Sequence, residues 1–111
     1  MKRKRPAPPK QLTPGPKYAG VYRAAAKRIR DQGWCHYGGM NREGHICLLI
    51  AIVGAAKDLV PEGRSSAPAL HAARVLDPDV RPGSAFPLIA YNDAPERTEA
   101  DVLDLLNRLA A

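Results

Sequence analysis

The sequence predicts a mostly α-helical single domain, about four short helices packed around a central apolar helix. Three observations predict it. Apolar residues recur at helical spacing in several segments. Aromatics are sparse at 5 % while 45 % of the chain is hydrophobic, so the core must be built from Leu, Ile, Val and Ala, whose small side chains favour close helix packing over a thick sheet sandwich. A length of 111 residues suffices for one modest core and not for two.

Residues 1–16, MKRKRPAPPKQLTPGP, hold five prolines, five cations and little to bury, and are expected to form a disordered or extended arm ahead of a compact domain at 17–111. From residue 17 to 32 the pattern changes. Tyr18, Val21, Tyr22, Ala25 and Ile29 share one helical face, and Arg23, Lys27 and Arg30 lie largely away from it. Gly33 then reads as a left-handed stop, with Trp34 folding back onto the last turn. Residues 34–45 form a hairpin or irregular segment, its turn at MNREG.

The second helix spans about Ile46 to Leu59 and is apolar nearly all round, through Ile46, Leu48, Leu49, Ile50, Ile52 and Val53, which places it centrally. Val60-Pro61 stops it. Ala67 to Leu76 forms a third helix with Pro68 near its first turn and Leu70, Ala73 and Val75 inward. DPDVRPGSAF is a loop by its Pro and Gly content. PLIAYND fits a short buried strand or a helical turn equally, since periodicity does not separate them. Asn92 and Asp93 before Ala94-Pro95 read as an Asx-type turn. Thr98 followed by Glu99 and Asp101 reads as an N-cap with acids in the first turn, and Val102, Leu105, Leu106 and Leu109 form the stripe of a last helix.

The formal charge of +6 is located entirely in the arm and its junction. Lys2, Arg3, Lys4, Arg5, Lys10 and Lys17 meet no acid, and the 11 later basic residues are balanced by the chain's 11 acids. The body is neutral but polarised, basic along the first helix and acidic in the last third. Lys2, Arg3, Lys4, Arg5, Lys10, Arg23, Lys27 and Arg30 are therefore the candidate nucleic-acid contacts. The longest apolar run, Ile46 to Ala56, has 11 residues, well short of the roughly 20 needed to cross a bilayer, so no membrane association is expected. Two cysteines without a secretory signal point to free thiols in a reducing, cytoplasmic setting.

GWCHYGGMNREGHICLL, residues 33–49, concentrates both cysteines and two of the three histidines. As metal ligands, Cys35, His36, His45 and Cys47 have suitable chemistry and unsuitable spacing: adjacent Cys35 and His36 point apart, and His45 and Cys47 converge only in an extended segment. As a nucleophile, Cys47 sits at the start of a helix where the dipole lowers a thiol pKa, and the order Cys47, His71, Asn92 matches that of papain-like peptidases. Against that, Cys47 leads into LLIAIV, where a thiol is a small buried apolar residue. The core reading is preferred, with Trp34 covering the core and His36 and His45 at the surface. Trp34, His36, His45, Asn92 and Asp93 remain the ligand or partner candidates.

Gly33-Trp34 after an amphipathic helix, Cys47-Leu48 leading an Ala-rich helix, and YNDAPERTEADVLDLL resemble a family of small actinobacterial and actinophage proteins. Their members show Trp-Asn-Asp followed by Arg-Thr and a terminal Leu-rich helix; here Tyr91 stands where Trp is usual. The resemblance covers about residues 18–109. It implies a mostly helical intracellular protein of actinobacterial or phage origin, and it carries no activity.

The expected function is a non-enzymatic interaction protein with an unidentified protein partner and no cofactor. A nucleic-acid-binding accessory protein is the alternative, and a cysteine- or metal-dependent enzyme the third reading.

Overall fold

A computed structural model describes residues 17–111. The predicted arm, with Lys2, Arg3, Lys4, Arg5 and Lys10, lies outside the described residues. The described chain is mostly helical: α1 (Ala19–Gln32), α2 (Leu48–Leu59), α3 (Ala67–Leu76), α4 (Phe86–Asp93) and α5 (Glu99–Ala110). PLIAYND belongs to α4, so the helical alternative holds over the strand. Pro87 stands in its first turn, where a missing N–H costs no helical hydrogen bond.

Helix α1 packs on α2 and α5, α2 also touches α3 and α4, and α3 touches α4. The central element is thus the α1–α2 pair, with α5 seated mainly on α1. Alanines line the seams: Ala25 and Ala26 on α1, Ala51, Ala55 and Ala56 on α2, Ala69, Ala72 and Ala73 on α3, all buried. Larger side chains fill the space between, with Tyr22, Ile29, Leu48, Ile52, Leu88, Val102 and Leu106 buried around them. The Tyr22 hydroxyl donates to the Pro68 carbonyl at 2.8 Å, joining α1 to α3. Burial, and then Tyr18, raise its phenol well above the ordinary value, so it stays a donor.

Two expectations about inward faces are corrected. Val75 is 53 % exposed, and α3 instead buries Ala69, Ala72 and Ala73, residues spaced i, i+3, i+4. Ile50 is 39 % exposed, so α2 is not buried all round: one side of its first turn is uncovered. The last helix starts as its sequence indicates. Thr98 Oγ1 accepts from the Asp101 N–H at 3.2 Å, and Asp101 Oδ2 accepts from the Thr98 N–H at 3.0 Å, a reciprocal capping box.

Candidate functional site

Residues 33–47 connect α1 to α2 without forming a regular strand, yet their backbone is tightly bonded. The Gly33 N–H closes α1 on the Ile29 carbonyl at 2.7 Å. Gly33 has φ +90°, and a Cβ there would lie 2.6 Å from the His45 ring, so both backbone and space require glycine. Ile46 then forms two bridges, parallel with Trp34 on one side and antiparallel with Met40 on the other. The antiparallel half turns at Asn41, whose Oδ1 accepts from the N–H groups of Glu43 at 3.0 Å and His45 at 2.9 Å.

Helix α4 fastens this connection through one side chain. Asn92 is 2 % exposed and, among the described residues, is the buried polar or charged side chain of the core. Its Oδ1 accepts from Trp34 Nε1–H at 2.6 Å and from the Leu48 N–H at 2.9 Å. Its Nδ2 donates to the Cys35 carbonyl at 3.1 Å and to Asp93 Oδ1 at 2.9 Å. Both acceptor sites and both donors of the amide are therefore used. Leu48 opens α2, so Asn92 also satisfies one of the free N–H groups of that helix end. Asp93 Oδ1 further accepts from the Tyr37 N–H at 2.8 Å.

The histidine and aromatic side chains complete the corner. His36 packs edge-on against Trp34, ring centroids 4.5 Å apart, and its Nε2 lies 3.2 Å from the Ala94 carbonyl. A carbonyl only accepts, so this bond selects the Nε2–H tautomer or the charged ring. Tyr37 is 71 % exposed and has φ +61°, a left-handed conformation unusual for a bulky residue. Arg97 lies over the Tyr91 ring at 3.6 Å and donates from Nε to the Tyr91 carbonyl at 2.7 Å, bending the chain from α4 toward α5.

A cavity of about 120 Å³ opens beside this corner, lined by Gly38, Gly39, Cys47, Leu49, Ile50, Ile89, Asn92 and Asp93. Its wall is mainly aliphatic, and its rim carries the exposed Ile50 and Ile89. A wider surface hollow of about 380 Å³ lies between Leu76, Asp77, Phe86, Pro87, Ala90 and Tyr91, away from the cysteines and histidines of the connection.

The model of a family of unknown function, DUF6197, matches residues 13–111. The chain belongs to that family. No curated protein and no solved structure gives a match.

In this DUF6197 chain the residues singled out by sequence fall into separate groups. Trp34, His36, Asn92 and Asp93 are brought together as described. The Asn92–Asp93 pair is not an Asx turn ahead of the last helix: it forms the final turn of α4, and its bonds run to residues 34–48. Trp34 packs against the core and reaches α4 through its bond to Asn92. Cys47 is the N-cap of α2, one residue before its first turn, and its Sγ accepts from the Ile50 N–H at 3.5 Å. The Cys35 thiol donates to the His45 carbonyl at 3.4 Å.

His71 is not brought to Cys47. Its ring stacks on Tyr22 and meets Tyr18 edge-on, and it does not line the cavity that Cys47 and Asn92 share. Burial lowers its pKa, and Arg74 and then Lys17 lower it further. Among the described residues, no three Cys, His, Asp or Glu side chains gather as a metal site would require, Cys35, His36, His45 and Cys47 included. On α1, Arg23, Lys27 and Arg30 are all exposed, and Lys27 also pairs with Asp31 at 2.6 Å. No helix among the described residues is long and apolar enough to cross a membrane.

Sequence reasoning missed Tyr37, Ile50 and Ile89. The Tyr-Gly-Gly run could have flagged Tyr37 as a residue pressed into a tight turn. Nothing in an all-round apolar helix distinguishes the one isoleucine left outside.

Proposed function

We propose that this chain is a non-enzymatic interaction protein that receives a protein partner at the corner formed by residues 37–39, the start of α2 and the last turns of α4. The observation that carries this reading is the combination of an exposed Tyr37 at positive φ with Ile50 and Ile89, 39 % and 40 % exposed, around one small aliphatic cavity. Strained backbone persists where neighbouring structure holds it, here through the Tyr37 N–H on Asp93, and such positions cluster at binding sites. The cavity has the size of one side chain, below the roughly 300–1,000 Å³ of sites that enclose a small-molecule ligand. The polar groups beside it are engaged in holding the corner: Asn92 uses all four of its positions, and Cys47 caps α2.

The partner is a host or phage protein in the cytoplasm of an actinobacterium. Support for that setting comes from the resemblance carried by Gly33-Trp34, Cys47-Leu48, Asn92-Asp93 and Arg97-Thr98, and from the free state of both thiols. The alternative, nucleic-acid binding through the arm and α1, keeps Arg23 and Arg30 as exposed contacts and loses part of its charge to the Lys27–Asp31 pair.

Affinity capture from an actinobacterial lysate, with the wild-type chain beside Ile50→Glu and Ile89→Glu, tests the reading. Both positions are part-exposed, so the Glu carboxylates reach solvent and the variants should fold with a loss of about 1 kcal/mol. Proteins retained by the wild type and lost from both variants are expected. An identical captured set in all three, or retention that disappears with nuclease and moderate salt, would overturn it.

A further inference from the structure

The register of the connection puts the two cysteines face to face. Cys35 N–H donates to the Ile46 carbonyl at 3.1 Å, and Ile46 N–H donates to the Gly33 carbonyl at 2.9 Å, which pairs Trp34 with Ile46 in parallel. Where Trp34 faces Ile46, the next residues, Cys35 and Cys47, face each other. Side chains alternate along extended chain, so both cysteines lie on the side opposite Trp34 and Ile46. Gly33 provides an independent check. In the same register it faces His45, and the His45 ring does occupy the space that a Cβ on Gly33 would need.

Neighbouring extended segments lie about 4.8 Å apart. Disulfides form between Cα atoms roughly 4.4–6.8 Å apart with Cβ atoms on one side. The electrostatics agree with that proximity. Burial pushes the Cys35 thiol up, and the next largest influence on it is Cys47, ahead of Asp93. Both thiols are free, Cys35 partly exposed and Cys47 buried at the cavity wall.

We propose that Cys35 and Cys47 form a modification site, a facing dithiol that a low-molecular-weight disulfide of the glutathione type converts reversibly into an intramolecular disulfide. The Cys35 thiolate, the more accessible of the two, attacks one sulfur of the glutathione disulfide. The S–S bond of the reagent breaks, and one glutathione thiolate leaves. The Cys47 thiolate then attacks the Cys35 sulfur of the mixed disulfide, and the second glutathione thiolate leaves. The two protein thiol protons end on the two glutathione thiolates, so two protein thiols and one glutathione disulfide give one protein disulfide and two glutathione thiols. Because Cys47 Sγ both caps α2 and lines the cavity, the modification acts on the helix start and the cavity together. The site does not depend on the interaction reading.

The test equilibrates the full chain with glutathione redox buffers, folded and in denaturing guanidinium chloride, followed by alkylation and whole-protein mass measurement. The chain has two cysteines, so each product is distinct: the internal disulfide loses about 2 Da, a glutathione adduct gains about 305 Da, and a dimer doubles the mass. The expected result is a monomeric internal disulfide whose equilibrium constant in the folded chain exceeds that of the denatured chain at least tenfold. Cys47→Ser should stop at the adduct on Cys35, and formation should quicken toward alkaline pH. Equal constants in the two states, dimers, a persistent adduct, or an unreacted folded chain would each overturn the proposal.

Discussion

The seam between α1 and α2 and the corner between residues 33–48 and α4 are both buried, but they are held in different ways. The two helices that form the seam bury mostly small side chains, Ala25 and Ala26 on α1 and Ala51, Ala55 and Ala56 on α2, with Ile29 and Ile52 the larger buried residues beside them. Each contact is small, carries no direction, and can be lost without stranding another group. At the corner one amide, Asn92, satisfies two N–H groups, one carbonyl and one carboxylate oxygen that belong to four different residues. Removing it leaves all four at once. A seam made of many small contacts should weaken by degrees, whereas a corner built on one side chain should fail as a unit.

The largest effect is accordingly expected at Asn92. Asn92→Leu keeps the branched shape and leaves the Leu48 N–H and the Cys35 carbonyl without partners in a buried place, a loss of about 3 kcal/mol in urea unfolding. Trp34, the chain's one tryptophan, reports the corner directly through its fluorescence. Asn92→Asp separates the two halves of the amide. It retains an acceptor for Trp34 and Leu48 and replaces the donor that faces Cys35 and Asp93 with an oxygen, so it should cost about 2 kcal/mol at neutral pH and recover partly in acid. A loss below about 1 kcal/mol for Asn92→Leu would mean that water or backbone replaces the amide, and the contrast with the seam would disappear.

The seam is tested by adding volume rather than removing bonds. Ala55→Leu should destabilise by about 2 kcal/mol, because Ala55 is fully buried on α2 and the added carbons must displace packed neighbours. Ala55→Gly should cost about 1 kcal/mol through helix propensity and leave the packing distance unchanged. If the larger residue is accepted as easily as glycine, the seam is looser than its burial indicates.

The same difference decides how much of the molecule could be read from sequence. Tyr18, Val21, Tyr22, Ala25 and Ile29 repeat at helical spacing, and so do Val102, Leu105, Leu106 and Leu109; repetition is a local signal, and α1 and α5 follow it closely, whereas α3 keeps its expected bounds and buries a different face. Helix α4 has only eight residues, two turns, and its apolar residues do not favour one face, so strand and helix remained equal for PLIAYND. The corner left less trace. Trp34 and Asn92 are 58 positions apart, and a single hydrogen bond between them has no period. Composition drew notice to Cys35, His36, His45 and Cys47, but which of them meet is set by the parallel pairing of Trp34 with Ile46, a relation that spacing alone does not contain.

A smaller effect belongs to the cap that begins α5. Thr98→Ala removes the acceptor for the Asp101 N–H, and Asp101→Ala removes the acceptor for the Thr98 N–H; each should cost about 1 kcal/mol in thermal or urea unfolding. The two bonds form one reciprocal unit, so the double variant should cost less than the two single losses added together. Full additivity would show that the cap, unlike Asn92, acts as two independent bonds.

The smallest effect is a pH dependence where α3 meets the start of α1, with the half-buried His71 ring against Tyr18 and Tyr22. Burial, then Arg74 and Lys17, hold its pKa below the ordinary 6.5 in the folded chain, so as pH falls the unfolded chain takes up the proton first. Unfolding then gains proton affinity, which means that the contribution of His71 to stability is complete above about 6.5 and declines as pH drops through that value toward the lower folded pKa. The difference in urea midpoint between the wild type and His71→Gln, followed from pH 8 to pH 5 (~3 pH units around the histidine range), isolates the ring. The wild-type midpoint should fall more steeply than the variant's toward acid. Parallel curves would remove His71 as the source, and a wild type that gains on the variant in acid would mean that the ring is held charged despite Arg74 and Lys17 beside it.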